Sequence, residues 1–285
     1  MEFVNPDALV SPEWLHEHLN APDVRVVDAT YYLPHNDQDA REEYGFRHIP
    51  GAVFFDIDEI CDSDSDLPHM LPSPEKFSSK VRKLGLGDGN RIVIYGNAGG
   101  AMAACRVWWM FRVFGHSDVC VLDGGLAKWG KAKFPLEKDD PTVQERHFTA
   151  RMNNTLVKNM SQMTRNLDTK KFQVIDARST GRFEGIDHEP RPSEKFGHIP
   201  GSLNLPFVNL MNPKEDYKFR SADEIKAAFD EADVDFTKPI TVSCGSGVTA
   251  SVTAFCLYLL GKEEVPVYDG SWAEWGNDAN TPIGP

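Results

Sequence analysis

The sequence has no uninterrupted apolar run near the ~20 residues a membrane-spanning helix needs. Its N-terminus, "MEFVNPDALVSPEWLHEHL", lacks the basic segment and apolar stretch of a secretory leader. A soluble, cytoplasmic protein is expected. Positive charge is also short: 30 Lys and Arg face 43 Asp and Glu, giving a formal net charge of −13, and no basic cluster could track a phosphate backbone. Nucleic acid and anionic membrane are therefore poor partners, and an anionic substrate would need individually placed arginines. Cysteine is sparse. Cys61, Cys105, Cys120, Cys244 and Cys256 are odd in number and irregularly spaced, with no CxxC pair, which argues against a zinc site or a dithiol couple and for reduced thiols. No metal is implied, and no segment is low-complexity.

What the sequence does have is an internal repeat. At 285 residues and 41% hydrophobic composition the chain can bury two ordinary cores. "VRVVDAT" returns as "FQVIDAR", "FRHIPGAVFF" as "FGHIPGSLNL", "RIVIYG" as "ITVSCG" and "VLDGGLAKW" as "VYDGSWAEW". Order and spacing both persist, as in a duplicated domain. Short β-branched runs alternate with longer amphipathic segments, so each half reads as α/β, a parallel sheet flanked by helices. Strands are expected at 24–29, 52–55, 91–95 and 118–122, then at 172–177, 202–205, 239–243 and 264–268. Ser11-Pro12, Ser73-Pro74 and Ser221 with Glu224 mark helix starts, and Gly85 a helix end. Residues 131–157 are polar and lack apolar periodicity. The division expected is 1–137, a linker at 138–157, and 158–285. His48 and His198 belong to the repeated "HIPG" turn and read as structural in both halves, while Trp108, Trp109, Trp129 and Trp275 read as packing.

The stretch "TVSCGSGVTASV" puts Cys244 at the end of a strand, ahead of a helix, at the carboxyl edge where open α/β sheets bind ligands. Gly245 and Gly247 let the backbone curl so that successive N–H groups can face the sulfur, and such a nest favours a thiolate. A small hydrophobe at a strand end is the alternative reading. Cys256 falls in the apolar helix that follows, Cys105 and Cys120 lie in apolar surroundings, and Cys61 sits in an acidic loop.

"CGSGVT" at 244–249, with the duplicated "HIPG" and the "DGG" and "DGS" segments, resembles the 3-mercaptopyruvate sulfurtransferases of the rhodanese superfamily along almost the whole chain. The resemblance implies two tandem rhodanese-like domains, of which the second is catalytic. The first has lost its cysteine, and Gly96 stands in the corresponding place. It further implies that Cys244 takes sulfur from 3-mercaptopyruvate, releasing pyruvate, and passes it from a persulfide to a thiol, thioredoxin included, or to cyanide, without a cofactor. Arg182 and Arg191, in "GRFEGIDHEPR", match arginines that hold the substrate's carboxylate and ketone. A guanidinium fork suits that task, although a pair of surface arginines in a charged loop is the ordinary reading. Gly245, Gly247, Val248 and Thr249 complete the substrate loop.

Asp58 and His69 match positions that the family pairs with the loop serine, here Ser246, for moving a proton. On the residues alone they are equally a solvated acidic loop with an incidental histidine. If the match holds, the first domain lends groups to a site between the domains. The neutral Gly245 and Ser246 favour 3-mercaptopyruvate over the rival donor thiosulfate, whose enzymes carry basic residues after the cysteine. A phosphatase of related fold would need arginine where Ala250 stands. A non-catalytic rhodanese-like binding module is the reading from a different class, and the presence of Cys244 speaks against it.

Overall fold

The computed structural model describes residues 1–33, 36–97 and 102–284. The first half runs β1 (Leu9–Val10), α1 (Pro12–His18), β2 (Val24–Asp28), α2 (Ala40–Phe46), β3 (Val53–Phe54), α3 (Pro74–Lys83), β4 (Arg91–Tyr95), α4 (Met102–Val113), β5 (Val119–Leu122) and α5 (Gly125–Lys131). The second runs β6 (Val157–Lys158), α6 (Met160–Thr169), β7 (Gln173–Asp176), α7 (Thr180–Phe183), β8 (Leu203–Asn204), β9 (Met211–Asn212), β10 (Lys218–Phe219), α8 (Ala222–Glu231), β11 (Ile240–Ser243), α9 (Ala250–Leu259), β12 (Val267–Tyr268) and α10 (Ser271–Trp275).

The two halves repeat one topology. Five parallel strands are ordered β1-β5-β4-β2-β3 in the first and β6-β12-β11-β7-β8 in the second. Equivalent registers recur, with Asp28 opposite Phe54 and Asp176 opposite Asn204. All eight expected strands are present. Strands β1 and β6 and the antiparallel pair β9–β10 were not expected: each is two residues long and, unlike the equally short β3, β8 and β12, lies outside the repeated motifs.

Local chemistry sets the helix ends as the sequence suggests. Ser11, Ser73 and Ser221 accept hydrogen bonds from the backbone N–H three residues on, and Ser221 with Glu224 closes a full capping box. Gly85 takes φ +69° just after α3, a conformation that favours glycine. The repeated turns are built alike. His48 stacks on Tyr44 with Nδ1 2.8 Å from the Tyr44 carbonyl, and His198 stacks on Phe183 with Nδ1 2.9 Å from the Phe183 carbonyl.

The helices following the central strands, α4 and α9, are buried on nearly every side, as a helix that is apolar all round must be. Each covers its own sheet and packs on the other, with Trp108 edge-on to Phe255 at 4.9 Å between ring centroids. One apolar core therefore runs through both halves, from Phe55, Phe77 and Phe111 to Val242, Phe255 and Leu257. The polar stretch 138–153 forms no helix or strand and lies against the first half, where Phe148 is fully buried beside Phe77 and Phe111.

Candidate active site

β11 ends at Ser243, and the chain turns through residues 244–249 into α9. Cys244 is 2% exposed, with its backbone N–H donating to Ser271 Oγ at 3.2 Å and its carbonyl accepting from Trp272 at 2.9 Å. Gly245 accepts from Ala273 at 2.8 Å, so the repeated "DGS" segment holds the loop from behind. Ser251 Oγ donates to the Gly247 carbonyl at 2.9 Å and joins the loop to the first turn of α9. The backbone N–H groups of residues 245–249 have no acceptor among the described residues. Unpartnered donors in so buried a loop are uncommon, and successive backbone N–H groups left free in this way are able to receive negative charge. In the first half β4 ends at Tyr95, and Gly96 takes the place of the cysteine. The segment after it, 98–101, lies outside the described residues.

Cys244 opens onto a cleft that Gly245, Ser246, Val248 and Thr249 also line. Arg182, Glu189 and Arg191 form its charged wall, and Tyr31 and Leu33 come from the first half. The cleft therefore lies where the halves meet, a common place for a pocket.

The two arginines are not equivalent. Arg182 binds Glu189 through Nε at 3.0 Å and through Nη2, and Glu189 is held from its other oxygen by Arg178 Nη1 at 2.7 Å. Arg178 itself forks onto Asp176. Arg191 pairs with no carboxylate among the described residues; it donates through Nη2 to Tyr31 Oη and to His69 Nε2, both at 2.8 Å, and through Nη1 to Ser246 Oγ at 3.5 Å. The sequence suggested a matched pair of substrate arginines. In the structure Arg182 is already neutralised, because Glu189 of the same loop folds onto it.

His69 is 4% exposed and takes φ +59°. Its Nδ1 stands 3.0 Å from Asp58 Oδ1, off the line of a straight hydrogen bond. Burial pushes the His69 pKa down, Asp58 opposes this, and the charges of Arg191 and Arg106 add to the lowering. His69 in turn holds the exposed Asp58 carboxyl below its usual range. Asp58 and His69 are thus together, but Ser246 and His69 share no hydrogen bond among the described residues. Arg191 stands between them and contacts both. Gly247, expected on the substrate side, does not line the cleft: at φ +74° it packs behind the loop, where a Cβ would lie 2.8 Å from Arg106 Nη1.

Four participants were missed. Tyr31 and Ser271 gave no local signal. Glu189 sits between the two arginines in sequence, so its charge could have been weighed against theirs. Arg106 is a lone cation inside the apolar run "AACRVWWMF", and such a residue needs a buried partner. The other four thiols are all unlike a primed nucleophile: burial raises each, Cys120 to about 12, and Cys61 donates to the Asp58 carbonyl at 2.9 Å. Among the described residues no cluster of three or more His, Cys, Asp or Glu could hold a metal, and no helix is long and apolar enough to cross a membrane.

Comparison with known proteins places this site in a family. The family model for the Rhodanese-like domain matches residues 11–132 and again 159–278. The chain belongs to the rhodanese-like family. Among its rhodanese-like relatives, human 3-mercaptopyruvate sulfurtransferase is 44% identical over 273 residues, covering 94% of this chain and 91% of that protein. Bovine thiosulfate sulfurtransferase is 43% identical over 274 residues, with the same two coverages of 94% and 91%. The crystal structure of the Escherichia coli 3-mercaptopyruvate sulfotransferase SseA superposes with a TM-score of 0.85 at 38% identity, covering 93% of this chain and 98% of that one.

Proposed function

We propose that this rhodanese-like chain is a sulfurtransferase that takes sulfur from 3-mercaptopyruvate onto Cys244 and passes it to a thiol or to cyanide. The observation that carries the reading is a buried cysteine at the head of a turn whose backbone N–H groups have no acceptor among the described residues, in one cleft with a guanidinium, Arg191, that no carboxylate among those residues neutralises. Relatives of nearly equal identity are named for different donors, so identity does not choose between 3-mercaptopyruvate and thiosulfate. Loop chemistry does. The two residues after Cys244 are Gly245 and Ser246, which bring no positive charge to the sulfur, as a dianion would need; a monoanionic carboxylate can instead be gripped farther away by Arg191.

In this mechanism the Cys244 thiolate attacks the sulfur of 3-mercaptopyruvate. The new S–S bond forms as the C–S bond breaks, and the electron pair leaves on carbon as the enolate of pyruvate, which takes up a proton. The resulting persulfide anion lies in the N–H cradle. An acceptor thiolate or cyanide then attacks the outer sulfur, the S–S bond breaks, and the Cys244 thiolate returns. No net oxidation occurs. Arg191 holds the carboxylate, with Arg182 beside it, and Gly245, Gly247, Val248 and Thr249 shape the loop. His69, oriented by Asp58, serves with Ser246 in moving the substrate's proton once Arg191 turns from His69 Nε2 to the substrate carboxylate; Arg191 itself carries no proton.

The division into residues 1–137, a linker at 138–157 and a catalytic domain from 158 onward belongs to the same proposal, as do a cytoplasmic setting and thioredoxin as an acceptor. Comparing kcat/KM for 3-mercaptopyruvate and thiosulfate tests the choice of donor. A clear preference for 3-mercaptopyruvate supports it, and a preference for thiosulfate overturns it.

A further inference from the structure

Arg106 of α4 is fully buried and belongs to the half that lacks a counterpart of Cys244, yet it reaches the Cys244 loop. Its Nη2 donates to the His69 carbonyl and pairs with Asp269 Oδ1 at 2.7 Å. Asp269 Oδ2 in turn accepts from the Leu71 N–H at 2.8 Å. The ion pair therefore grips the segment His69–Leu71 at both ends. That segment needs gripping, because His69 sits at φ +59°, a conformation that costs a side-chain-bearing residue energy unless its surroundings hold it.

The same pair also faces the cysteine loop. Asp269 begins the "DGS" segment whose Ser271 Oγ accepts from the Cys244 N–H. Arg106 Nη1 has no hydrogen-bond partner among the described residues and lies 2.8 Å from where a Cβ on Gly247 would be. Only glycine there leaves room for the guanidinium behind the loop. Trp109 covers it, with the Arg106 Cζ 4.4 Å from the ring centroid.

We propose that Arg106 is a positioning residue for the sulfur transfer reaction: through Asp269 it fixes His69 in its left-handed conformation and sets that ring relative to the Cys244 loop across the domain boundary. This rests on the function proposed above and assigns a cause to the placement of His69. It also gives the first half a role besides donating Asp58 and His69. Both contacts come from the one nitrogen Nη2, so a lysine ammonium would keep the charge and could make them in part, but would lose the planar guanidinium that lies against Trp109.

The test is a double-mutant cycle on the full chain between Arg106→Gln and His69→Ala, read as kcat and KM for 3-mercaptopyruvate, with mass spectrometry of Cys244 for added sulfur. The account expects Arg106→Gln to lower kcat by about 10- to 100-fold with KM changed less than about 3-fold. In the His69→Ala background the same change should lower kcat by less than about 3-fold. Arg106→Lys should recover part of the loss, and Asp269→Asn should reproduce it. Should Arg106→Gln fail to fold, the cycle is run with Arg106→Lys and Asp269→Asn, whose shapes are near native. Equal losses in both His69 backgrounds mean that Arg106 does no more than stabilise the fold, and overturn the proposal. A wild-type protein that gains no sulfur on Cys244 overturns the underlying function and this inference with it, an outcome distinct from an additive cycle.

Discussion

Arg191 donates to His69 Nε2 at 2.8 Å, so the imidazole accepts there and carries its one proton on Nδ1, on the side of Asp58. A guanidinium cannot give up its proton to reverse the roles. The contact therefore fixes the histidine tautomer in the resting site and opposes protonation, in the same direction as burial.

A first prediction concerns pH. His69 should titrate below the ordinary histidine value of ~6.5, and nitrogen-edited NMR should report it neutral with the proton on Nδ1 at pH 7. The sign for stability follows. Between the lowered folded value and ~6.5 the unfolded chain binds a proton that the folded one does not, so this group's contribution is complete above ~6.5 and is lost as pH falls below it. His69→Gln should flatten that part of the stability profile. A His69 that titrates above the ordinary value would contradict the assignment.

A second concerns the two arginines. Arg191→Ala should raise KM for 3-mercaptopyruvate by roughly one to two orders of magnitude, the loss of a charge-assisted contact worth ~1.5–3 kcal/mol. Arg182→Ala should act differently, because it bares the Glu189 carboxylate to an anionic substrate. Glu189→Gln should then restore part of the activity of Arg182→Ala and none of the activity of Arg191→Ala. Rescue of both variants, or of neither, contradicts the inequality described here.

The repeat, the parallel sheets and the cysteine loop were legible because each is written in contiguous residues: β-branched runs, serine caps, and glycines beside Cys244. The inequality of Arg182 and Arg191 was not, since it depends on Glu189 folding back to meet Arg178 as well. Nor was the placing of Arg191 between His69 and Ser246, which come from different halves. β1 and β6 lie outside the repeated motifs and are too short to leave a pattern of their own, and Phe148 enters the core from a stretch whose polar neighbours hide it.

A third prediction follows from the glycines of the loop. Gly247→Ala should destabilise the protein by about 1–3 kcal/mol, since it combines φ +74° with a Cβ 2.8 Å from Arg106 Nη1 and 3.2 Å from the Asp269 carbonyl. Gly245→Ala should cost much less stability, because its Cβ would meet the end of the Arg182 side chain, which can move. Its effect should appear in KM instead. Thermal unfolding and donor kinetics on the two variants separate these outcomes, and equal losses of stability would contradict the reading.

A fourth concerns the shared core. Residues 158–285 alone should be poorly soluble and inactive, because α9 would lose α4 and expose Phe255 and the rest of its apolar face. Separation from Asp58, His69 and Tyr31 adds a chemical deficit. A soluble, fully active fragment on gel filtration and assay would show that the first half supplies neither packing nor chemistry.

The most direct test of the central claim is mass spectrometry of the intact protein and its peptides after incubation with 3-mercaptopyruvate and no acceptor. The account predicts one added sulfur atom, carried by the peptide containing Cys244, removed by a thiol or cyanide and absent from Cys244→Ser. A protein that gains no sulfur, or gains it at Cys61 while Cys244 stays unmodified, would contradict it.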